Sequence, residues 1–203
     1  IDFKTISNSC IALSNNTKID AVLETDNEVV IQDYSSQRVA EFFPMNIDGN
    51  IKVVWDCCAA SGGKSILAKD VLGNIQLTVS DVRENILYNL KKRFEAAGIN
   101  NYKSFIADLA GPKQAVPAES FDLIIADVPC SGSGTWSRTP EQLYYFEPAK
   151  IDVYAKLQKS ILKNVLMALK PGGYFLYITC SVFKKENEGA VNYLLENFTL
   201  KVL

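Results

Sequence analysis

Histidine is absent from the 203 residues of the chain, and this absence removes whole classes of catalytic site. Nucleophilic pairs of the Ser-His and Cys-His kinds cannot form within the chain. Acid–base chemistry must therefore come from Asp, Glu, Lys, Cys or Tyr. A metal centre is not expected either, because the cysteines form no CxxC pair and imidazole ligands are missing.

Cysteines are few and odd in number, which argues against a disulfide framework. They are Cys10, Cys57, Cys58, Cys130 and Cys180. No run of about 18 apolar residues is present, so a membrane-spanning helix is not expected. The chain lacks an initiator methionine, and residues 1–9 show no signal-peptide pattern. These features are typical of a piece of a longer cytoplasmic protein with reduced thiols.

Excess positive charge is missing as well. The formal net charge is −2, whereas proteins that bind phosphate backbones cluster Lys and Arg. Either the partner is not a polyanion, or a basic module lies outside this chain. The residues that are present, 48% apolar and 22% charged, fit one globular α/β domain with a sizeable core.

Strand and helix patterns alternate after residue 50. Short apolar runs predict strands at 52–55, 75–80, 102–106, 123–126, 174–179 and 199–203. Helical spacing predicts helices at 66–71, 86–97, 151–169 and 186–196. Because crossover helices join successive strands, the pattern indicates a mostly parallel, doubly wound sheet.

Residues 1–46 precede this pattern and are expected to pack on it as N-terminal strands and a helix. The predicted strands are Ser9–Leu13 and Glu28–Gln32. A helix is predicted to open within Ile31–Arg38, with Ser35 or Ser36 as its N-cap. Its predicted inward face carries Val39, Phe42 and Phe43.

Polar residues stand where the predicted strands end. They are Asp56, Asp81, Asp108, Asp127 and Cys180. Ligands of open α/β sheets bind beyond the carboxyl ends of the strands. Each residue alone could be a turn cap, but their common placement at one edge indicates a ligand site.

The small-residue loop between the first strand and helix of the sheet predicts a cofactor site. It comprises Cys58, Ala59, Ala60, Ser61, Gly62, Gly63 and Lys64. Its small side chains let a ligand approach the backbone, and the helix that follows offers free N–H groups. A phosphate-binding loop of the GxxxxGK[ST] kind would need glycine at Cys58, so the loop is not of that kind.

Two further carboxylates are suited to a nucleoside. Asp81 lies 18 residues after Gly63, a spacing typical of an acid that binds a ribose hydroxyl. Asp108 is expected to accept a hydrogen bond from an adenine amino group. Since a GxGxxG fingerprint is absent, S-adenosylmethionine, which has no pyrophosphate, fits better than a dinucleotide.

Two thiols, Cys130 and Cys180, follow neighbouring predicted strands. A thiolate that attacks carbon 6 of a pyrimidine makes carbon 5 electron-rich enough to accept a methyl group. Lys64 is expected to lower the pKa of the attacking thiol. Asp127 is expected to hydrogen-bond the ring as charge develops. The structural alternative is a strand-end turn with a buried thiol.

Six motifs together match one known family. They are Gln32–Gln37, Asp56–Lys64, Asp127–Gly132, Arg138–Glu141, Thr179–Ser181 and Glu186–Glu188. With them the chain resembles the Sun/Fmu (RsmB-like) RNA cytosine-5 methyltransferases from Ile31 onward. The resemblance implies a Rossmann-like class I S-adenosylmethionine-dependent methyltransferase fold, with residues 47–203 as the catalytic domain.

The resemblance also implies roles for individual residues. Cys180 would be the nucleophile that adds to the cytosine, and Cys130 would assist breakdown of the adduct. The matched cofactor positions are Cys58–Lys64, Asp81, Asp108 and Asp127. Lys64 and Asp127 would also face the target base. The partner would be ribosomal or transfer RNA, bound by a monomeric enzyme that needs no metal and no membrane.

The chain departs from the family pattern in three ways. Ser61 replaces the usual proline, which is expected to loosen the loop. The basic RNA-binding module of the family is not part of this chain, and the sheet is expected to stop before its last strand.

Two other functions stay open. An amino-group nucleic-acid methyltransferase would use an Asp-Pro-Pro-aromatic loop and would need no cysteine. A non-catalytic RNA-binding or assembly protein of the same fold would not need Lys64, Asp127 or Cys180. Four aromatic residues after the fourth strand could stack a flipped base or simply anchor their loop. They are Trp136, Tyr144, Tyr145 and Phe146.

Overall fold

The computed structural model describes residues 1–44, 51–111 and 120–203. The predicted domain boundary between residues 46 and 47 lies outside these ranges. Two antiparallel strands open the chain, β1 (Phe3–Ser7) and β2 (Cys10–Leu13). A short helix follows, α1 (Tyr34–Gln37), which continues as a 3-10 helix over Arg38–Phe42.

Within the described residues, five parallel strands form the main sheet in the order β5-β4-β3-β6-β7. They are β3 (Val53–Asp56), β4 (Gln76–Asp81), β5 (Tyr102–Ile106), β6 (Phe121–Asp127) and β7 (Leu169–Ile178). The helices are α2 (Gly63–Leu72), α3 (Glu84–Ala96), α4 (Pro140–Tyr144), α5 (Ala149–Val165) and α6 (Glu188–Asn197). Among these helices none has the length and apolarity that a bilayer crossing requires.

Apolar side chains alternate between the two faces of the sheet and bury both. On β3, Val54 joins a core with α2, α3 and the N-terminal Val39 and Phe43. The next residue, Trp55, points to the other core, where it packs with residues of α5 such as Ile161. Helices therefore cover both faces, which confirms the predicted doubly wound parallel sheet.

The N-terminal predictions hold only in part. Residues 28–32 form no strand, since only an isolated bridge joins Thr25 to Val29, and β1 was not predicted. The predicted helix begins earlier than expected, with Asp33 at the N-cap position, two residues before Ser35 and three before Ser36. Phe42, the last residue of the 3-10 helix, is exposed, whereas Phe43 is buried. The backbone of Phe43 is extended, and this change of direction turns its side chain toward the core.

The predicted last strand, 199–203, is not formed. Phe198 and Leu200 instead pack beside the cluster that joins α5 to α6, with Leu162 and Leu194 at its centre. In the predicted run, Leu200 is therefore partly buried against the helices without forming a strand.

A left-handed glycine begins the helix that follows β3. Gly62, at the N-cap of α2, has φ +84°, a conformation that side chains with a Cβ rarely adopt. A Cβ there would lie 2.7 Å from the Phe94 ring and 3.0 Å from Leu90 Cγ. The turn into α2 therefore packs its backbone directly on α3.

Gly62→Ala should destabilise the fold by about 2–4 kcal/mol, through backbone strain and overpacking together. Gly98→Ala is the matched control, because Gly98 also has positive φ (+67°) but a Cβ there meets nothing within 4 Å. That control should lose only about 1–2 kcal/mol. Equal losses for both variants in urea unfolding would show that contact with α3 is unimportant.

Candidate active site

The carboxyl ends of the parallel strands bring the predicted polar residues to one edge of the sheet. Asp56, Asp81 and Asp127 are the last residues of β3, β4 and β6. Asp108 and Cys180 follow β5 and β7 after two residues. A pocket of about 450 Å³ opens at this edge.

The predicted cofactor loop forms one wall of the pocket. Every residue of Cys58–Lys64 except Gly62 lines it, and Asp56 and Asp127 do so as well. The N-terminal segment Val30–Asp33 also lines the pocket, together with Arg138. That segment was not predicted to border the site, since nothing in its spacing ties it to the sheet edge.

Asp81 and Asp108 do not line this pocket. Asp81 accepts hydrogen bonds from the backbone N–H of Ala60 at 3.0 Å and from the guanidinium of Arg83 at 2.9 Å. Burial alone would raise the pKa of Asp81, but the bonds and charge of Arg83 hold it below its usual value. Asp108 accepts a bond from the N–H of Ala110 at 3.1 Å. Their contacts with a cofactor stay predictions.

The loop is held in place at Ser61. Arg93 donates to the Ser61 carbonyl at 3.0 Å and to its hydroxyl at 3.1 Å. The same guanidinium binds both carboxylate oxygens of Asp26 at 2.9 and 2.6 Å. The hydroxyl of Ser61 is an acceptor that proline would lack, so Arg93 offsets part of the expected loosening, which stays a prediction.

Lys64 and Asp127 form an ion pair inside the pocket, with Nζ 2.5 Å from Oδ2. The side chain of Lys64 is 15% exposed and that of Asp127 31%, so solvent screens the pair only in part. The geometry brings these two predicted residues together as expected.

Cys130 and Cys180 lie with their sulfur atoms 3.2 Å apart. The hydrogen bond from Cys130 is the main cause that lowers the pKa of Cys180, and the same bond and burial raise the pKa of Cys130. Lys64 lowers the pKa of Cys180 only slightly, because its charge is paired with Asp127. Lys64 therefore lowers the pKa of Cys180 in the predicted direction, and Cys130 is the larger cause.

Glu186 connects the loops that carry the two cysteines. Its side chain is fully buried, and it accepts from the N–H and hydroxyl of Ser131 at 2.7 and 2.6 Å and from the hydroxyl of Ser181 at 2.5 Å. The backbone N–H of Gly134 also donates to the Cys180 carbonyl at 2.8 Å. A Cβ at Gly134 would lie 2.9 Å from that oxygen, so only glycine permits the contact.

No role for Glu186 was predicted from the sequence. Its acid stands in the Glu-Asn-Glu motif, but the serines that it binds are 55 and 5 positions away. Its contacts with Ser131 and Ser181 depend on how the loops lie in space. No local signal in the sequence identifies Glu186.

The four aromatic residues divide into two pairs. Trp136 and Phe146 pack on Phe183, with ring centroids at 6.0 and 5.5 Å. Tyr144 and Tyr145 are 82% and 70% exposed and contact each other edge to face. The first pair anchors the loop, whereas the second is free to meet a partner.

Asp56 is a second residue for which no role was assigned. Its side chain is 1% exposed, and its Oδ2 accepts from the Ser65 hydroxyl at 2.6 Å. Its Oδ1 has no hydrogen-bond partner among the described residues. Burial raises the pKa of Asp56 from 3.8 to about 7, with a further increase from Asp127.

No group of three or more His, Cys, Asp or Glu side chains that could hold a metal ion is found in the ranges that the structure describes. All five cysteines are free thiols.

The sequence model of a family described as 16S rRNA methyltransferase RsmB/F matches residues 44–201. A relative from Synechocystis sp., named probable ribosomal RNA small subunit methyltransferase B, is 32% identical over 82% of this chain and 37% of its own length. A relative of the same name from Bacillus subtilis is 30% identical over 84% of this chain and 38% of its own. The chain therefore spans less than two fifths of these curated relatives.

A solved structure shares the fold. The crystal structure of a methyltransferase homolog protein from Pyrococcus horikoshii superposes with a TM-score of 0.74 at 26% identity. The match covers 97% of this chain and 62% of that one. It confirms the Rossmann-like methyltransferase fold.

Asp56→Asn should stabilise the protein at pH 8 but not at pH 4. The folded state holds a proton on Asp56 up to about pH 7, whereas the unfolded state loses it near 3.8. The stability that this proton contributes is thus complete below pH 4 and is lost as pH rises to 7. The amide avoids this loss, so we expect a gain of about 1–3 kcal/mol at pH 8.

Thermal unfolding at both pH values measures the effect. Asp152→Asn is the control, because Asp152 is an exposed carboxyl whose pKa Lys185 lowers, so its amide should not stabilise. A pH-independent change in the melting temperature of the Asp56→Asn protein would contradict the prediction.

Proposed function

The chain belongs to the RsmB/F family of 16S rRNA methyltransferases, and on that premise we propose that the protein methylates carbon 5 of a cytosine in RNA. The observation that carries the proposal is the contact of Cys130 with Cys180, 3.2 Å apart beside the Lys64–Asp127 pair. A pair of thiols at this position has no use in methylation of an amino group. The family favours ribosomal over transfer RNA as the substrate.

The pocket residues fit S-adenosylmethionine, which would supply an electrophilic methyl group. Its amino-acid part carries both charges, and the pocket offers Lys64, Arg93 and the free oxygen of Asp56. The loop Cys58–Lys64 would hold it, with Asp81 and Asp108 at the nucleoside.

The cysteines would carry the covalent chemistry. The Cys180 thiolate adds to carbon 6 of the cytosine, and the electron pair moves to carbon 5, which takes the methyl group. Loss of the proton from carbon 5 and cleavage of the sulfur–carbon bond then restore the thiolate. Cys130, in contact with Cys180, is placed to assist this last stage.

Lys64 and Asp127 would stabilise the charge that develops on the base. Both line the pocket and both charges act on Cys180, and donors and acceptors fixed before reaction need no reorganisation. The free state of all five cysteines is the state that a reducing cytoplasm maintains. A cytoplasmic location and a monomeric state are part of the proposal.

The intact protein with Cys130→Ala should form a protein–RNA adduct in the presence of S-adenosylmethionine, because breakdown of the covalent intermediate is slowed. A denaturing gel detects it. Adding Cys180→Ser should abolish the adduct, whereas Cys10→Ala, which removes a thiol far from the site in sequence, should not. Absence of the adduct with cofactor binding intact would favour amino-group methylation or a non-catalytic role.

Cofactor binding should survive Cys180→Ala but weaken about tenfold with Asp81→Ala, since a hydrogen bond to a charged group is lost. Calorimetry with S-adenosylmethionine measures both. Arg83→Ala is the control, because it removes the main partner of Asp81 and keeps the carboxylate. Equal affinity of the Asp81→Ala and Cys180→Ala proteins would remove Asp81 from the cofactor site.

A further inference from the structure

The thiols of Cys130 and Cys180 lie close enough to react with each other. Their sulfur atoms are 3.2 Å apart, and a disulfide bond is about 2 Å long, so an approach of roughly 1.2 Å would close the bond. Both thiols are free in this structure. Glu186 binds Ser131 and Ser181 and so joins the two loops that carry the thiols. The pair is therefore held together before any substrate arrives.

The two thiols differ in accessibility and in acidity. Cys180 is exposed, whereas Cys130 is half-buried. The hydrogen bond from Cys130 lowers the pKa of Cys180 to about 7, although burial and the charge of Asp127 oppose the shift. The same hydrogen bond and burial raise the pKa of Cys130, which keeps its proton. An accessible thiolate beside a second thiol is typical of cysteines that respond to oxidants, because the first thiol is oxidised and the second resolves the product.

We propose that Cys130 and Cys180 are an oxidation site at which a peroxide produces a reversible disulfide. The Cys180 thiolate attacks one peroxide oxygen, the O–O bond breaks, and hydroxide leaves a sulfenic acid on Cys180. The Cys130 sulfur then attacks the Cys180 sulfur, the S–O bond breaks, and the departing hydroxide takes the proton of Cys130. Two thiols and one hydrogen peroxide thus give one disulfide and two water molecules. A small thiol restores both cysteines by exchange.

The disulfide would stop methylation without closing the cofactor pocket. Once its sulfur is bonded to Cys130, Cys180 has no thiolate that could add to a base. This consequence rests on the proposed function, whereas formation of the bond does not. Neither cysteine is among the described residues that line the pocket, so the affinity for S-adenosylhomocysteine should be unchanged by oxidation.

Peptide mapping of the intact protein tests the bond in the absence of RNA. Reduced protein, freed of reductant, is treated with a small excess of hydrogen peroxide, unfolded in an alkylating agent and digested with trypsin. Because Arg138 lies between Cys130 and Cys180, the two cysteines fall in different peptides. We expect most molecules to yield these peptides linked, and dithiothreitol to separate them. Cys57 and Cys58 are the internal control and should stay reduced, because burial raises the pKa of Cys57.

Two variants show whether Cys130 resolves the oxidised Cys180. Cys130→Ser removes the second thiol but keeps a hydroxyl donor, so peroxide should take Cys180 to a sulfinic acid that dithiothreitol does not reverse. Cys10→Ser is the matched control and should form the link as wild-type protein does. The proposal is overturned if Cys180 of wild-type protein gains oxygen or stays reduced without forming the link, or if another pair of cysteines links as readily.

Activity measurements distinguish this proposal from the proposed function. Linked protein should lose most of its methyl transfer to RNA, recover it with dithiothreitol, and bind S-adenosylhomocysteine in calorimetry as the reduced protein does. Linked protein that still methylates RNA would contradict the role of Cys180 as nucleophile and would leave the disulfide established. Reduced protein that methylates RNA but never forms the link would contradict the oxidation site alone.

Discussion

The buried carboxylate of Glu186 is the contact on which the thiol pair depends. It draws Ser131, beside Cys130, and Ser181, beside Cys180, to the same two oxygens. A carboxylate removed from water needs such donors, because an unpaired buried charge is strongly unfavourable. Together with the backbone bond from Gly134 to the Cys180 carbonyl, these bonds join the two loops, and the sulfur atoms lie 3.2 Å apart.

The pKa values of side chains around the pocket depend on which charged groups form ion pairs. Lys64 is paired with Asp127, so it contributes little to the acidity of Cys180, and the neighbouring thiol takes that role. Asp56 lacks a cation and keeps its proton to about pH 7.

The N-terminal residues take part in the site as well as in the core. Val39 and Phe43 are buried against the sheet and its helices, which fixes the segment before them. Arg93 then joins Asp26 to the cofactor loop at Ser61, and Arg138 pairs with Asp33, which also lines the pocket. One pocket wall thus depends on ion pairs between residues that are 67 and 105 positions apart.

The sequence by itself determined the sheet and the placement of its polar residues. The run at 102–106 matches β5 to the residue, and the acids at 56, 81 and 127 end their strands, because strand propensity and burial are local properties. Segments without a local pattern were predicted poorly, as at 28–32, where tertiary contacts decide the conformation. Only the tertiary structure decided that Glu186 holds both cysteine loops, that Cys130 lowers the pKa of Cys180 more than Lys64 does, and that one oxygen of Asp56 has no partner among the described residues. These depend on distances between residues far apart in the chain, which composition and spacing do not encode.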